Sequence, residues 1–289
     1  MTETRELAQD MMQLEALLVA RAALYEAMHM AFGGEPSREL LECLASSELS
    51  DCLDEFAQES GTLANLRAFL AGLQSRVEDA GFLETAQAEF NRFFEGPATP
   101  PAHPWESSNI GPEHMVFQPS TLDVREAYHA LGLKVLREKH LPDDHLSLMC
   151  AYLAEGGRRM LAAWRRGEAE ECLRLLGIQR GFLSNHVNNW LPIYAEHCLR
   201  VSKAVLYPQL AHGIRDLAAI DAVLLANLDF WLEENVLKPK SETAAVQITD
   251  LTDPPYDRGE LFAAAEQLSE KIASLKLKGI EDNTLVAMA

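Results

Sequence analysis

The sequence predicts an all-α protein: one globular helical domain of ten or more helices, interrupted by a long proline-rich loop and followed by a C-terminal extension. Three observations predict it. Apolar residues recur at three- and four-residue steps along most of the 289 residues. Alternating strand patterns are absent, except that Val246-Gln247-Ile248 could form a short one. Hydrophobic residues make up 48% and charged residues 24%, which suffices for a sizeable core and excludes wholesale disorder.

The elements follow in order. Leu7, Met11, Leu14, Leu18, Ala22, Tyr25 and Met28 place one long helix over 5–32. Gly33-Gly34-Glu35-Pro36 ends it, with glycine at the C-cap and proline just beyond. Shorter helices are expected near 37–46, 49–58, 62–77 and 82–95. The next segment, from Glu95 to Pro112, carries five prolines within 16 residues, which forbids helix because proline fixes φ and lacks an amide donor. Irregular loops of that length are often functional. Ser120 and Asp123 suggest a capping box for a helix to about Glu138. Pro142-Asp143-Asp144-His145 opens another helix, where proline and acids suit the free amides of a first turn. Gly156-Gly157 is read as an interruption of that pattern. Further helices fit 167–176, 179–190, 192–206 and 211–236, with Pro192 and Pro208 as punctuation. Residues 1–237 thus read as one helical domain. Residues 238–289 read as an extension with a linker at Lys238-Pro239-Lys240-Ser241 and one amphipathic helix over 257–277.

Charge limits the partners. Lysine plus arginine total 25 and aspartate plus glutamate 44, giving a formal charge of −19. Nucleic-acid binding needs a basic surface that displaces counterions, so it is not expected. The dense basic cluster of Arg158, Arg159, Arg165 and Arg166 reads as a solvated helix face. An acidic surface suits a cationic partner such as a basic peptide. Met1-Thr2-Glu3-Thr4-Arg5-Glu6 is polar, no basic start precedes an apolar run, and no stretch approaches a membrane span. A cytoplasmic protein without membrane insertion is therefore expected. Cys43, Cys52, Cys150, Cys172 and Cys198 sit at irregular spacing in helical patterns and read as reduced core thiols.

Most catalytic constellations are missing. There is no HExxH, CxxC or HxxxH, so no metal site is expected. GxxxxGK[ST] and GxGxxG are absent, and so is GxSxG. Two features remain. Pro100-Pro101-Ala102-His103-Pro104-Trp105-Glu106-Ser107 presents an indole on a stiff segment, which suits peptide capture or a plug over the core. Asp143-Asp144-His145 suits helix capping, although one cap explains only one acid; Asp144 could also hold His145 or accept an arginine from a partner.

Together these segments resemble the TorD/DmsD family of chaperones that mature complex redox enzymes. Three blocks carry the resemblance. The first runs Glu89-Phe90-Asn91-Arg92-Phe93-Phe94-Glu95-Gly96-Pro97 and then Pro104-Trp105-Glu106-Ser107. The second is Leu141-Pro142-Asp143-Asp144-His145-Leu146. The third is Gly181-Phe182-Leu183-Ser184-Asn185-His186-Val187-Asn188-Asn189-Trp190-Leu191-Pro192. Order and spacing agree over about residues 8–237. Departures are Phe93 for a usual leucine, Asp143 for a usual glutamate, and Ser108-Asn109 where an apolar pair is usual.

The resemblance implies a cytoplasmic chaperone, not an enzyme, that needs no cofactor. It implies binding of the twin-arginine leader and apo form of a molybdopterin oxidoreductase of the dimethyl sulfoxide reductase class, held for cofactor insertion before export. By position it implies leader contact at Pro104, Trp105, Glu106, Ser107, Asp144 and His145. Apolar surface near Phe94 and Trp105 would take the leader's hydrophobic part. In that mechanism Glu106 and Asp144 attract the guanidinium groups while Trp105 stacks on one. Family members suggest a monomer or a homodimer. The alternatives are a small hydrolase using Ser107 and His145, and a helical scaffold without a leader pocket.

Overall fold

Serine side chains start the first short helices. Ser37 accepts the Leu40 amide, Ser46 that of Leu49, and Ser60 those of Thr62 and Leu63. In the computed structural model these begin α2 (Arg38–Leu44), α3 (Ser47–Ala57) and α4 (Gly61–Leu73), after the long α1 (Thr2–Gly33). Asp79 caps α5 (Ala80–Phe90) in the same way. The rest of the chain adds α6 (Glu106–Ile110), α7 (Pro119–Ala130), α8 (Leu146–Arg165), α9 (Ala169–Phe182), α10 (Leu191–Leu199), α11 (Leu206–Leu232) and α12 (Gly259–Ala273). The structure describes residues 2–95, 99–111, 118–137, 142–201, 204–234 and 259–288, with side chains from Met12 onward. The fold is all-α: twelve helices among the described residues, with one pair of three-residue strands. The expected linker at 238–241 and the short strand at 246–248 lie outside the described residues.

The second half of α1 is buried from Leu18 through Phe32 except at the half-buried Glu26, so it forms the axis of the core rather than a surface helix. It packs on α8, α12 and α3. Inside that packing lies one polar knot. Arg21 Nε donates to Asp221 on α11 at 2.6 Å, and Nη2 donates to Gln179 on α9 at 2.9 Å. The Tyr25 hydroxyl donates to the other Asp221 oxygen at 2.8 Å. The knot ties α1, α9 and α11 together with no solvent contact at Arg21 or Asp221.

This knot explains Gly156-Gly157, which does not interrupt anything: α8 runs unbroken from Leu146 to Arg165. A Cβ on Gly156 would fall 1.9 Å from Gln179 Nε2, and one on Gly157 would fall 2.9 Å from Arg21 Nη1. The glycines are gaps through which the knot reaches α8, at a cost of roughly 1 kcal/mol each in helix propensity.

Other boundaries shift for local reasons. α7 starts at Pro119, with Gln118 as N-cap and no side-chain cap from Ser120. It stops at Ala130 rather than near Glu138, because Gly132 adopts φ 65° and turns the chain into β1 (Leu133–Val135). The expected helices at 167–176 and 179–190 are one element, α9, continued by a π turn over Leu183–Val187. Pro208 sits inside the first turn of α11, where its missing amide would lack a helical partner anyway. All five cysteines are buried and free, and burial pushes the Cys43 thiol up to about 11 and that of Cys52 to about 12.

Residues 259–288 return to the body. α12 packs on α1 and α3, burying Phe262, Ala265, Leu268 and Ile272. β2 (Leu285–Ala287) pairs antiparallel with β1, with Leu133 opposite Ala287. Asn283 donates to the Gly33 carbonyl at 3.0 Å, and the Glu35 amide donates to the Lys278 carbonyl at 2.8 Å. The C-terminal segment thereby closes over the end of α1.

Candidate functional site

The proline-rich loop and the start of α8 are laced together by backbone. The Glu106 amide donates to the Asp144 carbonyl at 3.1 Å, and the Leu146 amide donates to the Pro104 carbonyl at 2.9 Å. Trp105 and His145 thus face each other as an antiparallel bridge. Asp144 completes the lacing: its carboxylate accepts the Ser107 amide at 2.7 Å and the Thr121 hydroxyl at 3.2 Å. Glu106 is held by the third block, accepting from Asn189 Nδ2 at 3.0 Å and lying 3.1 Å from His186 Nδ1. The three sequence blocks therefore converge at one place.

Their rings form a connected row. The Phe94 and His145 centroids lie 6.1 Å apart, His145 and Trp105 5.4 Å, and Trp105 and His103 6.5 Å. Phe94 and Trp105 are half-buried, whereas Pro104, Glu106, Ser107, Asp144 and His145 are buried. The indole Nε1 of Trp105 has no hydrogen-bond partner among the described residues. Behind the row, Phe90, Phe93 and Phe94 pack around Tyr207.

The acids do not behave as the sequence suggests. Asp144 is 0% and Glu106 1% exposed, and both carboxylates are engaged inside the protein. In this structure neither offers an open face to a guanidinium group. Nor does Asp143 or Asp144 cap α8; His145 does, its Nδ1 accepting the Ser147 amide at 3.2 Å. Asp143 pairs with Arg125, and its carbonyl accepts the Tyr128 hydroxyl at 2.9 Å.

Glu89 has a role that the sequence pattern only hinted at. Its buried carboxylate accepts the amides of Val205, Leu206 and Tyr207, at 2.8, 3.3 and 2.7 Å. It caps α11 from a distance, and so positions the Phe90–Phe94 turn. Two acids within the sequence blocks, Glu89 and Asp144, are thus braces for backbone.

The hydrolase alternative lacks its geometry. The Ser107 side chain is fully buried, its Oγ makes no hydrogen bond among the described residues, and His145 Nδ1 is occupied by Ser147. Burial, and then the neighbouring His29, push the His145 imidazole down to about 3, so the ring is neutral at physiological pH. No group of potential metal ligands occurs among the described residues.

The burial of His145 has a pH consequence. Unfolded, the imidazole takes a proton near its ordinary value of about 6.5; folded, it stays neutral down to about 3. Stability is fully present above the unfolded value and is lost as pH falls between the two, by about 1.4 kcal/mol per pH unit. Urea unfolding between pH 7 and pH 4 should show this slope, and His145→Asn, which keeps a capping acceptor, should flatten it. Equal slopes in both proteins would refute the assignment.

Comparison with known proteins agrees with this architecture. The family model described as nitrate reductase delta subunit matches residues 53–196, which hold all of the first block, all of the second and all of the third. The chain is 27% identical over 203 residues to the chaperone protein TorD of Vibrio cholerae, covering 70% of this chain and 90% of the relative. It is 34% identical over 88 residues to the Tat proofreading chaperone DmsD of Salmonella typhi, covering 28% of this chain and 43% of the relative.

The chain belongs to the TorD/DmsD family.

As a TorD/DmsD protein it is a chaperone and not an enzyme. A probable Tat proofreading chaperone DmsD of Haemophilus influenzae matches at 24% identity over 136 residues. No described helix is long and apolar enough to cross a membrane.

Proposed function

We propose that this chaperone binds the twin-arginine leader and the apo form of a molybdopterin oxidoreductase of the dimethyl sulfoxide reductase class. It works in the cytoplasm and holds its client until the molybdenum cofactor has been inserted, before export. No bond is made or broken; retention follows from occupancy of the leader. The observation that carries the reading is the half-buried Trp105, with a partnerless indole N–H, fixed where the three family blocks meet. The relatives named as Tat proofreading chaperones support the same reading.

The chemistry is recognition of cation and apolar surface together. Trp105 offers a ring face to a guanidinium group. Phe94, next along the row, offers apolar area to the hydrophobic stretch, and the exposed Glu95 beside it offers a carboxylate. The formal charge of −19 speeds encounter with a cationic leader, less so at high salt. The rigid bridge to His145 keeps the ordering cost low.

Calorimetry with a synthetic twin-arginine leader tests this. Trp105→Ala should weaken binding about 30-fold, the scale of an aromatic anchor at an interface, with far-ultraviolet circular dichroism unchanged. Unaltered affinity in the folded variant would remove Trp105 from the site.

A further inference from the structure

The C-terminal segment brings a cation to one end of the ring row. In a chain with 44 acids against 25 lysines and arginines, Leu275-Lys276-Leu277-Lys278 alternates apolar and basic residues. It leads from α12 into the 3-10 turn Ile280–Asn283, which lies against the end of α1. Backbone and apolar contacts dock it there. The Glu35 amide donates to the Lys278 carbonyl at 2.8 Å, Leu277 is buried, and a Cβ on Gly34 would fall 2.6 Å from that of Leu277. A Cβ on Gly33 would meet both Ser147 Oγ, at 2.3 Å, and Ile280 Cδ1, at 2.9 Å. The segment thus packs beside the helix start that carries His145.

The Lys278 side chain is not needed for that docking. It is 78% exposed, and its ammonium donates to Glu35 Oε2 at 2.5 Å. Gly279, the next residue, turns with φ 84°, and Glu95 Oε1 lies 3.0 Å from where its Cβ would be. Glu95 directly follows Phe94, the first ring of the row, and makes no ion pair among the described residues. The hydrogen bond to Glu35 raises the Lys278 ammonium above its ordinary range, and the Glu95 charge adds to this. One exposed cation therefore stands beside two carboxylates, at the end of the row where an approaching guanidinium group would find its charge partner.

An exposed ion pair is weak, and a guanidinium group offers a carboxylate two parallel hydrogen bonds where an ammonium group offers a point charge. Such a resident cation can be exchanged. We propose that Lys278 is an internal competitor of the leader: it occupies Glu35 and the approach to Glu95 in the free chaperone, and yields them to a leader arginine. This rests on the leader reading above. Because backbone hydrogen bonds hold the segment, Lys278 can turn aside while α12 and β2 stay in place. The consequence is selectivity. A leader must bring a cation to displace Lys278, and a peptide that brings only apolar surface leaves it where it is.

The test uses the full chain and two synthetic leader peptides, one with the arginine pair and one with glutamines in its place. Affinities are read by fluorescence anisotropy at low salt. Lys278→Gln should bind the arginine peptide about threefold tighter than the wild-type protein does, the scale of one exposed ion pair. It should bind the glutamine peptide as before. Lys278→Arg, which keeps the cation, should give no gain. Added to Glu35→Gln/Glu95→Gln, the Lys278→Gln change should give none either. Lys271→Gln removes an equal charge from a pair with Glu48 on α3 and should leave both affinities unchanged. No gain in Lys278→Gln overturns the inference and leaves the leader reading standing. So does a gain shared by the glutamine peptide or by Lys271→Gln, or one that persists without the two carboxylates. Absence of binding by both peptides in every variant overturns both.

Discussion

Asp221→Ala is expected to lower the unfolding free energy by about 3–5 kcal/mol, the scale for breaking a fully buried ion pair. The cost comes from what is left behind. Arg21 has no solvent contact, and Asp221 lies 2.6 Å from its Nε. Without that carboxylate a guanidinium group remains in an apolar interior, and the Tyr25 hydroxyl loses its acceptor as well. Burial, the largest cause of the raised Tyr25 phenol and one that persists without Asp221, keeps it from compensating by ionising. Equilibrium urea unfolding followed by circular dichroism measures the loss. Replacing both partners, as in Arg21→Met/Asp221→Leu, should recover most of it, because no orphaned charge is then buried. A loss under 1 kcal/mol in Asp221→Ala would mean that water or a shifted side chain reaches Arg21.

Asp144→Ala is expected to cost about 2–4 kcal/mol, because it strands the buried Ser107 amide and the Thr121 hydroxyl that the carboxylate accepts. It should also loosen the segment 104–107, detectable as faster proteolysis there. Asp144→Asn separates bracing from direct charge recognition. An amide oxygen can still accept the Ser107 N–H, so stability should fall by less than about 1.5 kcal/mol and leader affinity should stay within about twofold of wild type. If Asp144 met a leader guanidinium itself, losing its charge would cost tenfold or more in affinity with the fold intact. That outcome would require Asp144 to become exposed when the leader binds. Trp105→Ala is the mirror case, with affinity lost and stability kept.

The sequence revealed the helices and the convergence of the blocks better than the tasks of individual side chains. Helical periodicity over 5–32 needs no tertiary information, and α1 appeared where that pattern lay. Trp105 stood out because prolines crowd the residues before it; the proline-rich stretch is nevertheless not free of helix, since α6 starts at Glu106 directly after Trp105, and the indole is half-exposed as a contact residue must be. What was hidden depended on distant partners. Asp144 reads as a cap or as an arginine receptor, and only the fold brings Ser107 and Thr121 to it. Gly156-Gly157 reads as a break unless Gln179 and Arg21 are known to press on that face of α8. β1 and β2 are three residues each and lie about 150 positions apart, too short for a period and too distant for a hairpin signal. Glu35, Glu95 and Lys278 sit in unrelated segments, so their meeting has no sequence signature.

The closure of residues 259–288 over α1 bears on how the molecule is made. α1 is synthesised long before the side chains of Phe262, Leu268 and Ile272 that cover it and the Asn283 that contacts Gly33. Until they arrive, an apolar rod such as Leu18–Phe32 has incomplete cover and must be shielded by α8 and α3 or by a cellular holdase. Cover of α1 is therefore completed only once residues 259–288 have been made, and a nascent chain stalled before residue 259 would be a client in need of chaperoning itself.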